Sequence, residues 1–304
     1  MRDHVALIAA LGLSAILCGS AFGGVIYDNL TPNNLMAIAS RPSPPASFEI
    51  EAADDFVTTS PVSVMSASFV GLEVPGTGGI PAVQDLVVEM YRVFPNDSNV
   101  ARTSGPPTFS TSQVPTRVNS PADNAFQSRD SASPGQLSFT TSVLNSSFSV
   151  LNSVQPGGIH PMPGQATGGN GPLAGQEVEF DVTFTLPFSL PADHYFFVPQ
   201  VALTNGGQFY WLSASRPVSG NDIHGNPTTP FPAGFTDLQA WTRDAMLDPD
   251  WLRVGTDIVD SVGTSTVPTF NGAFSVSGTV VPEPASMLAV VIGLALIGYR
   301  RRSC

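Results

Sequence analysis

The sequence predicts an all-β body, a single antiparallel β-sandwich with the jelly roll as one form of it, and three observations carry that expectation. Apolar and polar residues alternate at period two in several segments, turn-forming Pro, Gly, Asn and Ser separate them, and helical spacing is nearly absent. Of the 304 residues 42% are hydrophobic and 12% charged, with 28 Gly and 28 Pro, so the chain is too apolar for disorder and poor in charge for a soluble domain. Long loops and two hydrophobic end segments complete the outline.

The clearest strand lies at 177–186. Val178, Phe180, Val182, Phe184 and Leu186 alternate there with Glu177, Glu179, Asp181, Thr183 and Thr185, so the first set is expected to face a core and the acidic set to face solvent. Shorter alternating runs lie at 62–72, 86–94, 137–143 and 273–281. Segments 195–203 and 208–213 flank Asn205-Gly206-Gly207, whose tolerance of positive φ predicts a hairpin turn. Segment 237–247 departs from the pattern, with Leu238, Trp241 and Ala245 at helical spacing behind Thr236 as an N-cap; a short helix or a structured loop is expected before Pro249. The stretches 156–175 and 217–234 read as long loops. No repeat and no change of composition divides the body.

Charge narrows the function classes. There are 24 carboxylates against 12 basic residues, all arginine, for a net charge of -12, and such a chain cannot grip phosphate backbones, which need clustered positive charge. Nucleic acid is excluded as a partner.

The two ends differ from the body. Residues 1–23 read as a signal peptide: Arg2 and His4, an apolar run from Val5 to Leu17 interrupted only by Ser14, then the small residues Gly19, Ser20, Ala21 and Gly23. At about 1.5 Å per residue that run spans only ~20 Å, short of a ~30 Å hydrocarbon core. At the other end, Val281-Pro282-Glu283-Pro284-Ala285-Ser286 precedes an apolar segment from Met287 to Tyr299 and then Arg300-Arg301-Arg302. The prolines exclude helix and sheet at the junction, and the arginines hold the far end of an inserted segment on the cytoplasmic side. The expected organisation is a signal peptide at 1–23, a β-sandwich body at 24–281 and a C-terminal signal at 282–304. The body lacks Arg2, Arg300, Arg301, Arg302, Asp3 and Glu283, so 8 arginines face 22 carboxylates and its net charge is -14. Both cysteines, Cys18 and Cys304, lie in the end segments, which leaves the body without disulfides or thiol chemistry.

This order of motif, hydrophobic helix and arginine cluster resembles the PEP-CTERM sorting signal of exported bacterial proteins. The resemblance covers the last 23 or so residues. It implies export, recognition of Pro282, Glu283 and Pro284 by an exosortase-type membrane protease, and a body left at the cell surface or released. It also implies an association with extracellular polysaccharide, and membrane contact only through the C-terminal helix before processing. The reading that follows is a non-catalytic surface or extracellular-matrix protein; the alternatives are an extracellular carbohydrate-binding module and, further off, a secreted glycan hydrolase.

Candidate chemistry in the body is sparse. Calcium is the one cofactor the composition suggests, through Asp248, Asp250 and Asp257, with Asp260, Asp54-Asp55 and the 96–99 turn as further oxygen donors, although none forms a dedicated calcium loop. Tyr210, Trp211, Trp241 and Trp251 are the candidates for stacking on a glycan. The stripe Glu177, Glu179, Asp181 has the ~6.8 Å spacing of paired hydrolytic carboxylates, but any solvent face of a strand has it. His160, His194 and His224 show no metal-ligand spacing, and none is expected to meet a carboxylate.

Overall fold

A computed structural model describes residues 23–43, 48–79, 81–102, 117–154, 167–217, 220–245, 250–259 and 269–282, and these form two antiparallel-rich open sheets with almost no helix. The signal segment, the motif beyond Pro282 and the arginine cluster Arg300, Arg301 and Arg302 lie outside the described residues, as do Asp248, Asp260 and His160. Among the described residues no helix is long and apolar enough to cross a membrane.

The larger sheet has nine strands. Its spine is β4 (Val62–Val74), and β15 (Phe274–Val280) and β11 (Gln208–Ala214) follow one another along one edge of it. Outward from β15 lies β1 (Gly24–Asp28); outward from β11 lie β2 (Pro32–Ala39) and β8 (Asn152–Val154), with the two-residue β14 (Asn271–Gly272) also on β11. The other edge of β4 carries β9 (Leu173–Leu190), and β7 (Ser138–Val150) lies beyond it. The second sheet runs in the order β13 (Leu252–Arg253), β12 (Trp241–Asp244), β3 (Ile50–Thr58), β10 (Asp193–Leu203), β5 (Val83–Arg92) and β6 (Gln127–Asp130). Among the described residues only β2 and β8 pair in parallel.

The alternation read in β9 sets which faces meet. Val178, Phe180, Val182 and Phe184 are buried in one cluster with Phe69, Phe209 and Phe274 of the larger sheet and Phe56, Tyr195 and Phe197 of the smaller one. Phe197 stacks on Phe274 across the two sheets with ring centroids 4.8 Å apart, and Phe69 stacks on Phe180 at 4.9 Å. Two satellite clusters cover the outer faces: Val70, Leu72, Tyr210 and Leu212 on the larger sheet, and Ala53, Tyr91, Phe196, Trp241 and Trp251 on the smaller. Leu186 leaves the pattern and is exposed, because four residues of β9 bulge opposite the single residue Met65 between the pairs Ser66↔Thr183 and Val64↔Phe188.

Two expectations are corrected. Asn205 and Gly206 do adopt positive φ (58° and 70°), and Gly207 N–H donates to Thr204 O at 3.0 Å, so the turn is as expected, but it does not close a hairpin. It carries the chain from β10 in the smaller sheet to β11 in the larger one, and the 76–82 loop holds it through Thr204 N–H to Ala82 O (2.9 Å) and Gly78 N–H to Asn205 O (3.3 Å). For 237–247 a short helix or a structured loop is expected; among its described residues, 237–245, there is no helix, and a loop leads into a strand. β12 occupies that stretch, because the outer edge of β3 offers a ladder from Ile50 to Ala53 that Trp241–Asp244 completes.

Gly272 on β14 lies against the indole of Trp211 on the neighbouring strand β11. A Cβ at this position would lie within the indole of Trp211, which is fully buried and bonded to Ala273 O through its Nε1. Gly272→Ala is therefore expected to cost roughly 1–3 kcal/mol, the usual penalty for overpacking a core, read as a lower denaturation midpoint with unchanged m-value.

Candidate functional site

None of the four aromatic candidates is a surface platform. Tyr210, Trp211, Trp241 and Trp251 are 4%, 0%, 2% and 2% exposed. Trp211 is part of the inter-sheet core, Tyr210 packs on the outer face of the larger sheet, and Trp241 and Trp251 lie on the outer face of the smaller one beneath Ala122 and Leu238. Large apolar rings fill these layers, so the stacking role read for them is withdrawn. Three of the described acidic candidates for calcium lie beside guanidinium groups. Asp257 accepts from Arg253 Nε and Nη2 at 2.9 and 2.7 Å, Asp250 lies 3.8 Å from Arg117 Nε, and Asp97 takes both Nε and Nη2 of Arg92 at 2.7 and 2.5 Å. Asp54 and Asp55, being neighbours on a strand, point to opposite faces. Among the described residues no group of three or more His, Cys, Asp or Glu side chains could hold a metal ion.

What the fold does assemble are three groups of ionisable side chains that the sequence does not bring together. The first is on the outer face of the larger sheet. Pairing places Asp28 beside Ser275, Ser275 beside Ser68 and Ser68 beside Asp181, a polar row crossing four strands. Glu177 and Glu179, expected in solvent, are only 8% and 3% exposed. The 220–229 loop folds over this face, tied down by Thr229 N–H to Asp28 O (2.8 Å) and by Asp28 N–H to Thr229 Oγ1 (3.0 Å). Within the loop, Asp222 gathers the His224 and Asn226 amides at 2.9 and 2.6 Å, which aims His224 at Glu179. Its Nε2 meets both carboxylate oxygens, at 2.8 and 3.0 Å, and this hydrogen bond raises the imidazole above its ordinary range. Ser68 Oγ donates to Asp181 at 2.7 Å. The histidine thus closes a latch, and that hydroxyl is directed to a carboxylate other than the one His224 holds.

The second group lies between the outer face of the smaller sheet and the 117–126 segment. Arg243 binds Glu51 through Nε and Nη2, donates from Nη2 to Tyr91 Oη at 2.8 Å and from Nη1 to Asp123 O at 3.2 Å, and its guanidinium sits 4.3 Å over the Trp251 ring. Arg117 pairs with Asp123 nearby. Tyr91 Oη lies 2.7 Å from Glu51 Oε1 and 3.0 Å from Glu89 Oε2. The one hydroxyl proton serves one of these two carboxylates at a time, while Arg243 Nη2 donates to the same oxygen. Burial, with Glu51 nearby, pushes Glu89 up to about 8.

The third group spans β3. Asp54 turns inward, accepts from Gly272 N–H at 2.8 Å and leaves Oδ1 without a partner, as Tyr27 Oη is also left. Asp55 turns outward, accepts from Leu238 N–H at 3.1 Å and meets His194 Nε2. Burial raises both carboxyls, Asp55 to about 6 and Asp54 well above its ordinary value. The only trace in the sequence is negative: Ala52-Ala53-Asp54-Asp55-Phe56 lacks alternation, which fits a strand covered on both faces.

No protein-family model, no curated protein and no solved structure matches the chain.

These groups fix the pH response. Asp28 and Asp55 are raised to about 6 and Glu89 to about 8, and Asp54, Asp237, Glu73 and Glu177 are raised as well, burial being the first cause in each. An unfolded carboxyl titrates near ~4, so above that pH the folded chain binds more protons than the unfolded one and stability falls as pH rises. His224 acts in the same direction, its contribution being present below its unfolded value and lost as pH rises through its folded one. The melting temperature should therefore be several degrees higher near pH 5 than near pH 8, the reverse of ordinary acid denaturation. Glu89→Gln, which cannot ionise, should flatten the alkaline end of the profile, and an unchanged slope there would remove Glu89 from this account.

Proposed function

We propose that the chain is an exported, C-terminally sorted, non-catalytic protein of the bacterial surface or extracellular matrix, whose body is a single β-sandwich formed by the two sheets. The observation that carries this reading is the order Pro282-Glu283-Pro284, apolar segment 287–299, Arg300-Arg301-Arg302, behind a body without cysteine. The partners it names are the export machinery and an exosortase-type membrane protease, and the extracellular setting brings polysaccharide within reach.

The geometry of the body supports this reading. β1 and β15 pair antiparallel with Gly24 beside Gly278, and Val281 N–H donates to Pro61 O at 2.8 Å just ahead of Pro282. Both junctions with the end segments therefore lie at one pole, so a body held at both ends can complete its sheets. Pro282 follows directly on the Val281 hydrogen bond, the last one among the described residues of this end.

Fusing residues 282–304 to an exported inert reporter tests the reading. In a host that has such a protease, the reporter should reach the outer surface or medium, and mass spectrometry should find it shortened at its C-terminus. Replacing Pro282, Glu283 and Pro284 together by alanine should leave it full-length. A reporter that stays in the periplasm with the whole tail attached would refute the assignment.

A further inference from the structure

Natural sheets protect their free edges by shortness, charge or proline, since an unprotected edge pairs with another chain. Most free edges among the described strands obey that rule. β1 has 5 residues, β8 has 3 and β13 has 2, and β6 has 4 including Arg129 and Asp130. β7 does not. It runs for 13 residues, Ser-Phe-Thr-Thr-Ser-Val-Leu-Asn-Ser-Ser-Phe-Ser-Val, with no charge, proline or glycine, and among the described residues it pairs only with β9. Residues 138–143 pair with β9 without a register shift, whereas irregularities follow at 143–145 and 145–148. Val143 is 57% exposed although its partner Val178 is buried, so the larger sheet overhangs its neighbour here.

We propose that β7 is the surface through which two copies of this chain associate, by antiparallel edge-to-edge pairing of residues 138–143 about a two-fold axis perpendicular to the sheet. Two observations select a second copy over a foreign partner. A chain with a net charge of -12 repels its own copy over most approaches, and this long uncharged strip minimises that repulsion while offering a charged ligand nothing to grip. The segment is also complementary to itself. With the axis perpendicular to the sheet, the hydroxyl row Ser138, Thr140 and Ser142 meets the same row, and Phe139, Thr141 and Val143 meet their equivalents. Alternate residues supply the N–H and C=O groups that β9 does not use. Six residues make an interface well under the ~1,200 Å² of stable complexes, so pairing is weak and depends on concentration. This inference is independent of the sorting assignment.

Sedimentation velocity of the full-length chain in detergent, over rising concentration, provides the test. The expected result is a shift from monomer to dimer. The double variant Thr140→Glu, Ser142→Glu should remain monomeric, with a modestly lower melting temperature because the new carboxylates stand directly opposite Asp181 and Glu179 on β9. Mixing it with the double variant Thr140→Lys, Ser142→Lys should restore the dimer, a result that misfolded protein cannot give. Thr59→Glu, at the pole of the chain ends, should dimerise like the parent. A monomer at every concentration, a dimer indifferent to the glutamates, or a mixture that fails to associate would each overturn the proposal.

Discussion

A continuous run of aromatic rings joins the two sheets, and the rest of the structure is arranged around it. Phe180 stacks on Phe69, Phe69 leans on Phe197, Phe197 stacks on Phe274, and Tyr27 links Phe274 to Phe56 and so to Tyr195, with successive centroids 4.7 to 6.2 Å apart. Four strands of the larger sheet and two of the smaller contribute rings to it. Each ring buries a large apolar area and gains further from tilted or offset contact with its neighbours. With Cys18 and Cys304 both outside the body, no disulfide shares this task, and packing alone must hold the sheets together.

That core explains where the charges go. With the inner faces committed to rings, most of the ionisable groups sit on the two outer faces, where the 220–229 loop and the 117–126 segment close over them. A carboxylate taken out of water in this way must find a cation, a set of amide donors or a proton. All three solutions occur: Glu51 faces Arg243, Asp222 takes the amides of its own loop, and burial raises Glu89 to about 8, toward its neutral form. Asp54 enters the core beside Tyr27, takes the Gly272 amide on one oxygen and leaves the other unpartnered. A buried carboxyl of this kind is tolerable only in its neutral form.

The parts legible in the sequence are those governed by local periodicity. β9 announces itself because one face is apolar and the other acidic, and β4, β5 and β15 lie close to where their alternation puts them. The Asn205-Gly206 turn is equally legible as a turn. Which strands it joins is not, because backbone φ at two residues says nothing about the sheet in which the next strand finds its partner. Segment 237–247 misleads for a related reason: three apolar residues happened to match a helical period, while the deciding fact was an unpaired edge of β3 far away in the chain. Glu179 and Trp251 fail in the same way, since their burial depends on covering loops, and loops leave no periodic trace. β3 itself is covered on both faces and so carries no alternation to read.

The absence of lysine, a bare count in the sequence, acquires a physical sense in the fold. Arg41, Arg92, Arg117, Arg129 and Arg243 each lie over an aromatic ring, at 4.3 to 5.2 Å from a centroid. Arg92, Arg243 and Arg253 also fork onto carboxylates. Both arrangements need a planar group with fixed donors and weak hydration, which an ammonium cannot provide. A surface that used its few cations for solubility would have no reason to prefer one kind. Among the described residues, Arg41, Arg92, Arg117, Arg129, Arg216, Arg243 and Arg253 serve as fasteners, over a ring or paired with an acid.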